Sequence, residues 1–166
     1  MKELIFLTIF SFPTLLLQTT IIPLFVDSQY KPDLFLILVF WAAIRITFVP
    51  AAVFAFAAGL LTGLFSGAPP GLFAILYLLI FLSSTYLHSV FELDSHAVNA
   101  MTVFCATFVA GQVIIAVTWL KVPIEFGWHL FQWPLLKSLS TALFAVMVVP
   151  ALDWLWNSYS KLVPAR

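Results

Sequence analysis

Between Ile46 and Phe91 the chain contains no Asp, Glu, Lys or Arg. At 1.5 Å per helical residue this run is about twice as long as the roughly 30 Å hydrocarbon layer of a bilayer, so it has to cross, turn and cross again. The turn is written at Ser66-Gly-Ala-Pro-Pro-Gly71, where tandem prolines remove amide donors and glycines permit reversal. Span three is therefore expected over about 50–66 and span four over about 71–91. With 63% hydrophobic and only 8% charged residues, and a mean hydropathy of +1.12, the whole chain belongs in lipid with no soluble domain.

The same logic places the remaining spans. Leu4 to Phe25 is free of charge and reaches about 33 Å as a helix. Its lack of a small-x-small cleavage site and its length argue for a retained span of about 4–25, not a signal peptide. Polar residues from Asp27 to Lys31 form a turn, and Asp33 opens a short span two, about 33–48, that ends near Arg45. Glu92, Asp94 and His96 mark the next exit, with Asp94 or Ser95 as a cap for span five, about 97–119. Residues 124–133 mix tryptophan with polar groups and read as an interfacial segment. Span six, about 135–156, begins near Lys137 and closes in the aromatic anchor Asp153-Trp-Leu-Trp-Asn157. The expected fold is all-α: one compact membrane bundle, 1–166, of six transmembrane helices with short loops.

Six spans put both termini on one side of the membrane. With the termini in the cytoplasm, Lys2, Arg45, Lys161 and Arg166 lie inside, against Lys31 and Lys121 outside and Lys137 near the outer boundary, so loop charge favours cytoplasmic termini. A net charge of zero without a basic run gives no reason to expect nucleic acid. The lone cysteine, Cys105, sits in an apolar run as a small filler.

Span three carries a ridge of small residues at every fourth position: Ala51, Ala55, Gly59, Gly63 and Gly67. In lipid there is no hydrophobic drive between helices, and small-xxx-small patterns permit the close backbone approach that replaces it. Four residues turn a helix by about 400°, so the ridge drifts around the axis and a single crossing neighbour uses only part of it. Ala51, Ala55 and Gly59 are expected to meet neighbours within the chain, Gly63 and Gly67 a partner helix. Gln18 is expensive in lipid and should bond inside the bundle or to a partner. Asp33, after Pro32, suits the positive end of a helix dipole, and Arg45 can stack on Trp41, reach headgroups or pair with a partner chain.

His88, Glu92 and His96 share the i, i+4, i+8 spacing that would place three metal-ligating side chains on one helical face. The competing explanation is a solvated turn at the membrane boundary. Catalytic signatures such as G-x-S-x-G and H-E-x-x-H are missing, and the ridge glycines follow no strand, so no enzyme and no cofactor is expected.

Together, Leu17-Gln18, Lys31-Pro32-Asp33-Leu34 and Ala58-Gly-Leu-Leu-Thr-Gly-Leu-Phe-Ser-Gly67 followed by Gly71 resemble the rod shape-determining protein MreD family. The resemblance implies a non-enzymatic scaffold of the bacterial cytoplasmic (inner) membrane, in the cell-elongation complex that governs cell shape and peptidoglycan synthesis. Its implied partners are the transmembrane helix of MreC and, through it or directly, MreB, RodA and a class B penicillin-binding protein. The family usually has an aspartate where this chain has Gly63, and a basic turn where this chain has Glu92 and Asp94. The family is also similar in architecture to the substrate-binding subunits of energy-coupling-factor vitamin transporters. That likeness supplies the alternative, a small-molecule-binding transport subunit, which requires a polar cavity reached from outside.

Overall fold

The computed structural model describes residues 2–25, 30–66, 69, 71–90, 95–120 and 127–162, without the side chains of residues 96, 129 and 162. These residues form an all-α bundle of six helices, with no strand among them. We number them α1 (Lys2–Phe25), α2 (Leu34–Arg45), α3 (Phe48–Ser66), α4 (Leu72–Val90), α5 (His96–Trp119) and α6 (His129–Leu162). Five are long and apolar enough to cross a membrane, and α2 is the exception. The protein is a multi-pass membrane bundle.

The short helix is also the central one. Every residue from Leu34 to Ala43 is buried, so α2 shows no lipid-facing side and no polar stripe. A helix apolar all round is stable only when covered all round, and α1, α3, α4, α5 and α6 all touch it. Its 12 residues rise only about 18 Å. Its charged ends are therefore brought inside the length of its longer neighbours.

Span two was expected to run to about residue 48. The structure stops the helix at Arg45, bends the chain at Ile46 into an extended conformation, and restarts at Phe48. Pro50 falls in the first turn of α3, where its missing amide has no intrahelical partner to lose. At the far end of α3, Gly71 takes φ of +85° to turn the chain into α4, a conformation that side chains with a Cβ disfavour.

α3 and α4 form a tight hairpin. A Cβ built on Gly59 would come 2.5 Å from the Ala74 Cα and 2.6 Å from the Phe73 carbonyl oxygen, so here backbone lies on backbone. α5 and α6 form the second hairpin. Gly111 sits against Pro134, with only 2.8 Å between its would-be Cβ and that of the proline. This contact helps explain why α6 begins at His129, ahead of the expected Leu135: Pro134 is accommodated inside the helix and packed against a glycine. The end of the expected interfacial segment is thus helical, while residues 121–126 lie outside the described residues.

Candidate functional site

Two polar clusters cap the two ends of α2, and α6 contributes to both. At the first end Asp33 is 3% exposed. Its Oδ1 accepts the Leu36 backbone N–H at 3.1 Å, closing the N-cap, and also the Tyr77 hydroxyl of α4 at 2.6 Å. Lys137 Nζ of α6 lies 3.9 Å from Oδ2. The Asp33 backbone N–H donates to Thr141 Oγ1, and the Phe35 N–H donates to Gln18 Oε1. The first amides of a helix lack intrahelical acceptors. Here three of them are satisfied by side chains from α1, α6 and the cap itself.

Gln18 reaches this place because α1 is π-helical from Leu17 to Ile21, with Ile22 N–H bonded to the Leu17 carbonyl. Pro23 follows directly and has no N–H for the carbonyl four residues back, which favours a widened turn. Gln18 is buried while Leu17, Thr19, Thr20 and Ile21 are exposed. Of the two places expected for the Gln18 bond, inside the bundle or on a partner helix, its oxygen takes the first, accepting from the Phe35 N–H.

At the other end, the Asp153 carboxylate of α6 receives two residues of α2. Arg45 donates from Nε to Oδ1 at 3.0 Å and from its terminal nitrogen to Oδ2 at 3.1 Å, a bidentate pair, and Trp41 Nε1–H donates to Oδ1 at 2.9 Å. The Arg45 guanidinium is thus directed to a carboxylate of its own chain, which it shares with Trp41. Asp153, read as part of an aromatic anchor, is the hub. Beneath it, Phe6 of α1 packs on Trp41 at 5.5 Å and on Trp156 at 5.0 Å between centroids. Thr47 donates to Glu3 at this same end.

The ridge faces inward over most of its length. Ala51 and Ala55 are fully buried, and Gly59 makes the contact with Ala74. Gly63, expected to await a partner, is buried over Phe73, with a would-be Cβ 3.9 Å from the Phe73 Cβ. That position is looser than Gly59 but occupied by the chain itself. Gly67 lies outside the described residues, as does Glu92, and so does the His96 side chain, which leaves the metal grouping without a described geometry. His88 lies in the last turn of α4 with its Nδ1 buried and unpartnered among the described residues. Ser95 takes the N-cap position of α5, but its side chain makes no cap bond.

Two cavities accompany these features. A polar cleft of about 80 Å³ lies beside Asp33, lined by Gln18, Lys31, Thr62 and Lys137 among others. A larger lateral groove of about 520 Å³ runs between α4 and α5, from Leu76 to Leu87 on one wall and Met101 to Val113 on the other. Its lining is mostly apolar and includes the small residues Ser83, Ser84, Ala106 and Ala110, and Cys105 is exposed on its α5 wall. No residue pattern announced this groove, because the spacing of two helices is set by their packing on α2 and α6.

No protein-family model, curated protein or solved structure matches this chain.

Proposed function

We propose that the chain is a non-enzymatic scaffold of the bacterial cytoplasmic membrane that seats the single transmembrane helix of a partner, in the manner that its resemblance to the MreD family implies for MreC and the cell-elongation machinery. The observation that carries this reading is the lateral groove between α4 and α5. Its walls extend over about 17–18 Å of helix rise, three turns or more of a docked helix, and its small residues permit close approach. Membrane-level polar groups, which mark transport pathways in many proteins, are here drawn into holding α2: Asp33 binds Tyr77 and Lys137, and Arg45 binds Asp153. The transport alternative is less well served. The polar cleft offers about 80 Å³ where sites for drug-sized molecules run to roughly 300 Å³ or more.

Cys105, the single cysteine of the chain, stands in the groove and serves as a reporter without any engineering. A thiol-linked photocrosslinker at Cys105 in native membranes should capture a single-span protein with an outer domain, and Ala106→Phe should reduce co-purification of that protein by about tenfold or more, as filling a helix-packing groove does. Capture of lipid alone, with co-purification unchanged in Ala106→Phe, would remove this reading.

A further inference from the structure

The cleft beside Asp33 holds more hydrogen-bond donors than acceptors. Lys31 and Lys137 line it with one carboxylate, Asp33, so two positive charges face one negative. That carboxylate is already engaged on both oxygens, Oδ1 by Leu36 and Tyr77 and Oδ2 by Lys137. Among the described residues Lys31 has no acidic partner, and the Gln18 amide uses its oxygen on Phe35 while its nitrogen bonds to none of them.

Thr62 adds an independent sign. Thr8, Thr14, Thr85 and Thr107 each donate to the carbonyl four residues earlier, the usual solution for a hydroxyl in an apolar helix. Thr62 does not. Its Oγ1 is shut off from solvent and turned to the Tyr77 hydroxyl, a side-chain interaction looser than the bond from Tyr77 to Asp33. A buried hydroxyl held this loosely is costly unless something else meets it.

We infer that this cleft binds a phosphodiester group. Donors converge on it from α1, from the segment before α2, from α3 and from α6, which suits a tetrahedral acceptor better than a planar carboxylate. A phosphodiester carries the single negative charge that balances the surplus lysine. The cleft is bounded by the start of α2, the end of α3 and the start of α4, the ends at which these helices meet their turns, and about 80 Å³ admits a phosphate without a sugar or ring. The phosphodiester can come from a phospholipid headgroup or from a soluble ester.

The test uses the full chain, delipidated in detergent, with binding measured by native mass spectrometry for three probes: dioleoylphosphatidylglycerol, dioleoylglycerol lacking the phosphate, and glycerophosphoglycerol lacking the acyl chains. Phosphatidylglycerol should bind at least about tenfold more tightly than dioleoylglycerol, and Lys31→Gln and Thr62→Val should each weaken it by roughly threefold to tenfold, the scale of one lost charge-assisted or buried hydrogen bond. Both variants leave the Asp33 bonds to Leu36, Tyr77 and Lys137 in place, so folding is retained. Equal affinity for glycerophosphoglycerol assigns the site to a soluble ester, and much weaker affinity assigns it to lipid. Equal binding of dioleoylglycerol, no binding of either phosphodiester, or unchanged affinity in both variants overturns the inference.

Discussion

The two ends of α2 solve one problem in opposite ways. Each must bring a charged residue to rest within a bundle of longer helices, and each uses a carboxylate–cation pair shared with α6. At the Asp33 end the carboxylate is enclosed and bonded by α2, α4 and α6 at once. At the Arg45 end the ions stay half open, with side chains 45% and 24% exposed, and what is buried is the indole of Trp41. A buried charge is expensive to orphan, whereas an exposed pair is screened and contributes little. The Asp33 end should therefore govern stability and the Arg45 end chiefly alignment.

The sharpest way to break this comparison is to remove each carboxylate in turn. Asp33→Ala strips the cap from α2 and leaves the Tyr77 hydroxyl and Lys137 unpaired, and should cost about 3–5 kcal/mol in equilibrium unfolding from mixed micelles. Asp153→Ala orphans one buried donor, Trp41 Nε1, and should cost about 1–3 kcal/mol by the same titration. Equal losses would erase the distinction between the ends. Tyr77→Phe removes one donor while Asp33 keeps Leu36 and Lys137, so a loss of about 1–2 kcal/mol is expected, read from the shift of the same transition. Arg45→Ala should be the mildest, about 0.2–1 kcal/mol, shrinking further as salt is raised from 0.05 to roughly 0.5 M. A salt-independent loss at Arg45 would mean that this pair is shielded after all.

Much of this architecture was legible in the residues. Charge-free lengths gave six helices, and their order survives in the structure, because the bilayer thickness is a ruler that sequence can be held against. The Pro32-Asp33 start of α2 and the buried Gln18 follow from local chemistry, since helix amides and amide side chains need partners in lipid. The ridge announced close packing at Gly59 but not its neighbour. It misplaced Gly63, because periodicity gives a face and only tertiary packing says what covers it.

Other features left fainter marks. Tyr77 is the single phenol between Gly71 and Phe81 of an apolar helix, and its hydroxyl had to bond somewhere, a signal available in advance but not its destination. The convergence of Trp41 and Arg45 on Asp153 is unreadable without knowing that α2 packs on α6 and in what register. At the two ends of α2 the same offset recurs: Asp33 meets Thr141 and Arg45 meets Asp153, each pair 108 residues apart.

This fixed offset imposes an order in time. A chain made from its N-terminus at roughly 5–20 residues per second has α2 in hand some 5–20 s before the segment that satisfies its ends is synthesised. Through that interval Asp33 and Arg45 lack their α6 partners, on a helix too short to span the bilayer by itself. Maturation of the bundle's centre thus waits on its last helix. A chain interrupted before Lys137 leaves both charges without these partners.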